Sequence, residues 1–449
     1  MRAPVLLVEV EVGAPLPEVT SQRADGTPYA MAHVLVRDGG VPIGCRVVPL
    51  VDGRVDADLL EGLWHAGPAR ERLLPPDPAP FITVVIPSAM ARPDLLLRCV
   101  ERISRCAYPS FEIVVVDNRP QPGPERARVH AELGTWARVV TEAVPGASAA
   151  RNRGIAAARG EIVAFTDDDI DVDPGWLTAI AHRFAADAAT SAVTGWVFPA
   201  ELETAAQVWF ENSGNTIGAD FAVVGFQTDG TDHFTAIAHR EQPQAHRGLA
   251  RTHRGPAGAH RDDETGGAEA QERVPVFRGV FGGSGNLAVR IDVLAAVGGF
   301  HPALGAGTIA HGGEDIEFLS RLLRLGHRVT MDPAVAVFHH HRADETGLRR
   351  QMFGYGTGYT AALTAMITED VRNVRGLMRL LTAARRVTAE RGQSREAAGY
   401  PATLAWAQRR GLLLGPLAYL RSRLALLRHR SRRAHTPHAT PRAPEPARK

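Results

Sequence analysis

Two patterns of hydrophobic and polar positions alternate in the middle of this chain. Continuous apolar runs of strand length occur at Phe81–Pro87, Phe111–Val116 and Glu161–Phe165. Between them, Pro93–Ala107 and Ser148–Arg159 have the character of helices, the first with a proline at its start and apolar residues at helical spacing. Strands that alternate with helices in this way predict an α/β fold with a parallel sheet.

The segments before this pattern predict a separate small domain. Val5–Val12 and His33–Val36 carry the β-branched residues typical of short strands. A proline-rich stretch at residues 74–80 follows them and is typical of a domain boundary. We therefore expect a β-rich N-terminal domain at residues 1–78, to which the sequence assigns no chemistry, and a second domain at residues 79–345.

Three further segments complete the predicted organisation. Residues 239–272 are rich in His, Arg, Gly, Ala and Glu with almost no apolar periodicity, which predicts a flexible insertion. Residues 346–431 are expected to be largely helical. Residues 432–449 are expected to form a disordered basic tail.

The composition indicates which classes of partner and which cellular compartment to expect. The chain has 449 residues, of which 45% are hydrophobic and 22% charged, as in ordinary globular proteins. Its formal net charge of +2 argues against a nucleic-acid partner. Three cysteines, an odd and sparse number, favour a reducing compartment. Neither a signal peptide nor an uncharged apolar stretch of about 20 residues is evident, so the sequence predicts a cytoplasmic protein.

The C-terminal region departs from this balance of charge. From residue 409 onward, eleven basic residues are opposed by one acid, Glu445. Within this region Gly411–Leu427 is strongly apolar but includes Arg421 and Arg423, which make a membrane-spanning helix costly. Pro416 is expected to bend or break the helix.

Two interpretations of this region remain open. In the first, residues 411–433 lie as a peripheral helix on the inner face of the plasma membrane, with leucines toward the acyl chains and arginines toward anionic headgroups. In the second, the leucines pack on the preceding domain and the arginines are solvated.

An acidic triplet, Asp167-Asp168-Asp169, directly follows the third buried strand. In parallel sheets, ligands collect at the carboxyl ends of strands. Three adjacent carboxylates repel one another unless a cation offsets their charge. A hard divalent ion such as Mg²⁺ or Mn²⁺ would do so, and would in turn bind a substrate diphosphate. The alternative is an acidic loop that only caps the next helix, near Asp173.

Three other motifs contain residues suited to catalysis or binding. Glu314-Asp315 follows two glycines, so either a carboxylate is delivered into a pocket as a general base or both acids complement a helix N-terminus. The glycine-rich segment Phe281–Asn286 allows a ligand to approach the backbone closely, or is a plain turn. The triplet His339–His341 follows a strand-like run, where a histidine could complete an oxygen-rich metal site, although a surface histidine usually has no such role.

Together these motifs resemble the family 2 glycosyltransferases of the GT-A fold, over roughly Phe81–Arg342. They match the family in order along the chain. The matching segments are VVIPS at 84–88, VVVDN at 114–118, ASAARNRG at 147–154, ARGEIVAFTDDD at 158–169, GGSGNLAVR at 282–290, GGEDIEF at 312–318 and the late histidine.

The resemblance implies a GT-A-type, Rossmann-like and mostly parallel sheet flanked by helices. It also implies a nucleoside-diphosphate sugar donor, a hydroxyl-bearing acceptor and a divalent cofactor, Mg²⁺ or Mn²⁺. The reaction would be an inverting transfer that serves cell-envelope polysaccharide, glycolipid or glycosylated-metabolite synthesis. The alternatives on the same fold are a nucleotidyltransferase and a non-catalytic nucleotide-sugar-binding protein. The sequence does not specify the sugar, the base or the acceptor.

Donor-side roles follow from the matching positions. Asp117 corresponds to the acid that hydrogen-bonds the nucleotide base. The other expected nucleotide-sugar contacts are Pro87, Ser88, Arg92, Arg151, Asn152, Asp167 and Asp168. Asp169 is the first choice for a metal ligand, with Asp167 as the neighbouring candidate and either His339 or His341 as the histidine.

Acceptor-side roles fall on the later motifs. Asp315 corresponds to the catalytic base, with Glu314 beside it to position the sugar or the acceptor. The expected acceptor and sugar loop consists of Gly283, Ser284, Gly285 and Asn286.

Overall fold

The computed structural model describes residues 3–19, 22–23, 25–60, 62–63, 71–118, 123–213, 221–241, 272–382 and 399–434. The strands are β1 (Leu6–Glu11), β2 (Met31–Asp38), β3 (Val41–Pro49), β4 (Ile82–Ser88), β5 (Phe111–Asp117), β6 (Arg138–Thr141), β7 (Ile162–Thr166), β8 (Ile170–Val172), β9 (Thr190–Pro199), β10 (Val223–Thr228), β11 (Thr235–Glu241), β12 (Glu272–Pro275), β13 (Asn286–Arg290) and β14 (Arg328–His339). The helices are α1 (Pro93–Ser104), α2 (Pro124–Leu133), α3 (Ala147–Ala157), α4 (Trp176–Ala186), α5 (Ala205–Glu211), α6 (Ile291–Val297), α7 (Glu314–Arg324), α8 (Glu345–Glu369) and α9 (Ala402–Ala434). Residues 373–382 are also helical.

Within the described residues, eleven strands form one large sheet in the order β12-β11-β10-β14-β9-β13-β7-β4-β5-β6, with β8 paired to β14. The run β7-β4-β5-β6 is parallel. In the whole sheet seven strands point one way and four the other, because β8, β10, β12 and β13 are reversed. The predicted α/β fold, a large and mostly parallel sheet flanked by helices, is confirmed.

Strand β4 is buried at every position because its two faces contact different helices. Ile82 and Ile86 belong to the core that also contains residues of α1, α2 and α4. Val85, which points the other way, belongs to the core beneath α3. Helix α3 approaches so closely that a Cβ on Gly154 would lie 2.2 Å from Val85. Burial on both faces explains the continuous apolar runs in the sequence.

The N-terminal strands form a sheet of their own, in the order β1-β2-β3. Its core is largely valine, including Val8, Val10 and Val34. The small sheet is joined to the larger unit by a backbone bridge between Val5 and Leu202, and by an ion pair between Arg37 and Asp173 at 2.8 Å.

Two predicted boundaries need correction. The ends of the predicted insertion are strand: residues 239–241 pair with β10, and Glu272 pairs with Ala238. Residues 242–271 lie outside the described residues. Residues 432–434, assigned to the disordered tail, continue α9, and residues 435–449 lie outside the described residues.

Helices α8 and α9 pack together through glycine. A Cβ on Gly411 would lie 2.2 Å from the Phe353 carbonyl oxygen, and one on Gly415 would lie 2.0 Å from Thr360 Oγ1. Of the bend or break predicted at Pro416, the break is wrong, because α9 runs through this residue. Proline has no N–H to donate to Leu412, and Thr360 Oγ1 donates to that carbonyl instead at 2.8 Å. Among the described helices, none is long and apolar enough to cross a bilayer.

Candidate active site

Three predicted motifs meet at the carboxyl ends of β4, β5 and β7. In the parallel register Ser88 lies opposite Asp117, and Asp167–Asp169 follow β7. Ser88 Oγ donates a hydrogen bond to Asp168 Oδ2 at 2.5 Å, across 80 residues of sequence. Pro87, the preceding residue, is buried in β4. The register of the buried strands therefore brings these loops into contact.

Each acid of the triplet has a different partner. The pairs are Asp167–Arg151 (2.6 Å), Asp168–Ser88 (2.5 Å), Asp169–Arg92 and Asp169–His339 (3.5 Å). Among the described residues, no side chain caps α4; ahead of the helix, Asp173 Oδ1 accepts a hydrogen bond from the Gly175 N–H at 2.8 Å. Helix capping therefore does not account for the triplet.

The pKa values of two triplet acids are shifted in opposite directions. Burial alone would raise the pKa of Asp169, but the nearby His339 and Arg92 outweigh it and hold that pKa well below its usual range. Burial raises the pKa of Asp168 to about 6, and the neighbouring carboxylates add to the rise. Of these two acids, Asp169 is therefore the one whose charge the environment favours.

Arg151 links the two acidic motifs. Its side chain is 2% exposed and lies between Asp167, at 2.6 Å, and Glu314, at 2.9 Å. The guanidinium carbon also lies 5.5 Å from the centre of the Phe300 ring. Burial opposes the charge, but the two carboxylates prevail and raise the pKa of Arg151. The triplet and the Glu314-Asp315 motif thus belong to one site.

Asp315 lies at the N-terminus of α7, where glycine packing fixes the loop. Gly313 has φ +85°, and a Cβ there would lie 2.1 Å from the carbonyl oxygen of Gly358 on α8. Burial and the adjacent Glu314 carboxylate raise the pKa of Asp315 to about 7. In the described residues no cation forms an ion pair with Asp315, whereas Glu314 is paired with Arg151. Of the two acids, Asp315 is the one suited to accept a proton.

The histidine motif forms a chain of hydrogen bonds. His341 Nε2 lies 2.6 Å from Glu211 Oε1, and the Nδ1 atoms of His341 and His339 lie 3.0 Å apart. One arrangement of protons satisfies both of these contacts. His341 Nε2–H donates to Glu211, and His339 Nδ1–H donates to His341. His339 Nε2 then faces Asp169, where it donates to the carboxylate when it carries a proton and can bind a cation when it does not. His339 is therefore the histidine beside the triplet, and His341 holds it.

The side chains near Asp169 are compatible with a divalent cation. A carboxylate oxygen of Asp169 and Nε2 of His339 lie 3.5 Å apart; the oxygen suits Mg²⁺ or Mn²⁺, and a neutral imidazole nitrogen is a common ligand of divalent metals. In the part of the chain that the structure describes, no three His, Cys, Asp or Glu side chains converge as metal ligands. Asp167, the neighbouring candidate, is bound by Arg151. A cation here would take its remaining ligands from a substrate.

Asp117 is fully buried and bound by α2. Arg126 Nε lies 2.5 Å and His130 Nε2 2.9 Å from Asp117 Oδ2. Neither partner was predicted from the sequence, although their i, i+4 spacing on one helix was visible there. The role of Asp117 toward a nucleotide base stays a prediction.

Two asparagines that were predicted as ligand contacts form hydrogen bonds within the protein, and their role toward a ligand stays a prediction. Asn152 makes two 2.8 Å hydrogen bonds with the backbone of Phe300. Asn286 accepts a hydrogen bond from Trp176 Nε1 at 2.9 Å and donates to two carbonyl groups. The side chains of both asparagines are therefore occupied within the protein. The rest of the predicted glycine loop lies near the site, since a Cβ on Gly285 would lie 2.9 Å from Asp167 Oδ2. Gly283 and Ser284 precede it in the same loop, and Ser284 is buried.

This chain is similar to known proteins at the level of family, sequence and structure. The model for "Glycosyl transferase family 2" matches residues 83–237. EpsH of Bacillus subtilis (strain 168) is 28% identical over 137 residues, which cover 30% of this chain and 36% of that protein. Glycosyltransferase AglE of Haloferax volcanii is 33% identical over 102 residues, which cover 22% of this chain and 33% of that protein. The chain thus spans about a third of the length of these relatives.

Among solved structures, the chain is similar to the mannosyltransferase PcManGT from Pyrobaculum calidifontis, in complex with GDP-Man and Mn²⁺. The identity is 17% and the TM-score 0.42, over 78% of this chain and 87% of that one. It is also similar to GalNAc-T7 with UDP, GalNAc and Mn²⁺, at 17% identity and a TM-score of 0.39, over 63% and 50% of the two chains. The family-model match confirms the predicted resemblance over residues 83–237.

Proposed function

We propose that this protein transfers a sugar from a nucleoside-diphosphate sugar to an acceptor hydroxyl, with inversion at the anomeric carbon. One observation carries the proposal: buried Arg151 holds Asp167 and Glu314 together, so that the acidic triplet and Asp315 form a single site. Such a site can stabilise a leaving diphosphate at one end and accept a proton at the other.

The donor would bind at the triplet. Asp169 and His339 would hold a divalent cation, Mg²⁺ or Mn²⁺, and the Glu211–His341 chain would keep His339 in its binding tautomer. Bound there, the cation supplies positive charge against the charge that grows on the departing diphosphate. Arg92 lies at the same carboxylate and is placed to contribute to that role. Ser88 and Asp168 line the adjacent nucleoside side.

The acceptor would be activated at α7. Asp315 takes the proton of the acceptor hydroxyl while the oxygen forms its bond to the anomeric carbon and the bond to the diphosphate breaks. Glu314 does not share this role, because Arg151 occupies its carboxylate. Its negative charge instead helps to keep the pKa of Asp315 high enough for proton transfer near neutral pH.

The biosynthetic process that the transfer serves, and its cellular compartment, are also proposed. Synthesis of cell-envelope polysaccharide, of a glycolipid or of a glycosylated metabolite is consistent with such chemistry. We propose the cytoplasm as the compartment, since the three cysteines of the chain are unpaired, as is usual in a reducing compartment.

The test is release of nucleoside diphosphate from a panel of UDP-, GDP- and dTDP-sugars in the presence of Mn²⁺. We expect one donor to be hydrolysed or transferred, and Asp315→Asn to lower that rate by roughly 10²-fold or more while donor binding survives. Asp292→Asn is a matched control, since Asp292 is an exposed acid in the first turn of α6. Equal loss of donor binding and rate in Asp315→Asn would assign Asp315 a structural role.

A further inference from the structure

Helix α9 has two opposite faces of different character. Its buried face is a row of mostly small residues that packs against α8, including Ala407, Gly411 and Gly415. On the opposite face, large apolar side chains are exposed to solvent. They are Trp406 (62%), Leu413 (82%), Leu417 (47%), Leu420 (47%), Leu424 (55%) and Leu427 (51%). At 100° per residue these six fall within a sector of about 80°, over a length of about 32 Å. They form one apolar stripe.

Arginines flank this stripe. Arg410, Arg421 and Arg428 are exposed along one edge, and Arg423 lies beyond the other. The Arg410 guanidinium lies 5.6 Å from the centre of the Trp406 ring. The sequence of α9 contains no aspartate or glutamate. A straight apolar stripe between cationic edges is the pattern of a helix that lies in the surface of an anionic bilayer.

Other segments of this chain are poor candidates to cover the stripe. The long segments outside the described residues, 242–271, 383–398 and 435–449, contain between them only Leu249 and Val387 as large aliphatic residues. They therefore cannot supply an apolar surface of matching length.

A second copy of the chain is disfavoured by charge. Two α9 helices that met along their stripes would bring the arginine edges of both copies together. Since α9 has no acid to pair with them, that contact would be repulsive. An anionic lipid surface offers acyl chains to the leucines and phosphate groups to the arginines.

We propose that α9 docks this protein on an anionic membrane surface through the stripe Trp406–Leu427. The leucines enter the boundary of the acyl chains, and the flanking arginines contact lipid phosphates. The leucines are exposed, so the interpretation in which they pack on the preceding domain is wrong. The small-residue face remains on α8, which carries Gly358 beneath the Gly313 loop, so the docked helix is rigidly connected to the candidate active site.

Flotation of the full chain with vesicles tests this proposal. We expect binding to phosphatidylcholine vesicles that contain about 30% phosphatidylglycerol, and little binding to pure phosphatidylcholine. Raising NaCl to about 0.5 M should lower the bound fraction. The variant Leu413→Ser, Leu417→Ser, Leu420→Ser should bind at least roughly tenfold more weakly.

Two controls make the outcome decisive. Serine at Val51, Leu74 and Leu325, which are exposed elsewhere, removes a similar apolar area and should leave vesicle binding unchanged. Glutamine at Arg410, Arg421 and Arg428 should weaken binding to anionic vesicles without changing the fold, as checked by circular dichroism. The proposal is overturned if the intact chain ignores anionic vesicles, if both serine variants bind equally well, or if sedimentation shows a dimer that only the α9 serine variant dissociates. A large drop in melting temperature in the α9 serine variant alone would likewise overturn it, since the stripe would then belong to the core.

Discussion

The proposed donor side and the proposed acceptor side of the candidate active site shift the pKa values of their carboxylates in opposite directions. On the donor side, Asp169 is surrounded by Arg92 and His339, and its pKa lies well below the usual range. On the acceptor side, Asp315 has a carboxylate neighbour, Glu314, and its pKa is raised to about 7. The first environment keeps Asp169 ionised at neutral pH, as a ligand for a cation must be. The second allows a proton to be taken and released.

The two sides also differ in what holds them in place. The triplet is fixed by the register of β4 and β7 and by side-chain hydrogen bonds such as Ser88–Asp168. Asp315 is fixed by backbone packing, because Gly313 lies against Gly358 of α8. The position of the triplet therefore depends on hydrogen bonds between side chains, whereas the position of Asp315 depends on close packing of the Gly313 loop against α8.

The largest effect is expected from Asp169→Ala. If Asp169 holds a divalent cation, the variant should lose most turnover, and chelator should abolish wild-type activity until Mg²⁺ or Mn²⁺ is restored. The measurement is the rate of nucleoside diphosphate release. Asp292→Asn, an exposed acid remote from the triplet, should retain its rate. Full activity in chelator would contradict a cation role for the donor side.

A pH profile should separate the two sides. Since proton transfer to Asp315 requires its charged form, kcat/KM should rise through about pH 7. The ionisable groups that interact with Asp315 are Glu314, Arg151 and Tyr355. Asp168 has a pKa of about 6 and could produce a similar limb. Asp315→Asn should leave a low, flat profile, whereas Asp168→Asn should keep the rise near pH 7. If Asp168→Asn flattens the profile and Asp315→Asn keeps the rise, the proton acceptor is Asp168 and not Asp315.

The sequence predicted well those parts of the site that buried strands determine. Asp167–Asp169 and Ser88 could be placed together because continuous apolar runs mark parallel strands, and such strands end at one edge of a sheet. The family match covers residues 83–237, which include these strands. The acidic motif at Glu314 lies beyond that match, and the structure joins it to the triplet through the two ion pairs of Arg151.

Other contacts could not be predicted because they depend on tertiary distances. Asn152 and Asn286 occur in recognisable motifs, but the structure uses their amides to bind backbone groups. Glu211 stands on a short helix 130 residues before His341, and no local pattern marks that pair. Similarly, the rule that proline breaks a helix failed at Pro416 because Thr360, on another helix, replaces the missing donor.

A moderate effect is expected from Glu211→Gln. The variant weakens the acceptor that orients His341, and hence the ring of His339, so Mn²⁺ should bind roughly tenfold more weakly. Titration of the protein with Mn²⁺, followed by the electron paramagnetic resonance of the free ion, measures this. Glu201→Gln is a matched control, because Glu201 holds His340 in the same way at 2.6 Å on the other side of the strand. Equal losses of Mn²⁺ affinity in both variants would indicate a general loss of structure.

The smallest effect should come from Thr360→Val, which tests how the acceptor side is supported. Thr360 Oγ1 donates to the Leu412 carbonyl that Pro416 leaves without its helical partner, so valine should cost about 1 kcal/mol in the free energy of unfolding. Restoring the N–H with Pro416→Ala should remove most of that cost, because the carbonyl regains a donor within α9. A double-mutant cycle by urea unfolding therefore predicts a coupling of similar size between Thr360 and Pro416. Activity should change little in any of these variants, since α8 keeps Gly358 against Gly313. Additive effects in the cycle would show that Thr360 does not replace the missing donor, and a large loss of activity in Thr360→Val would show that the acceptor side tolerates less movement of α8 than its packing suggests.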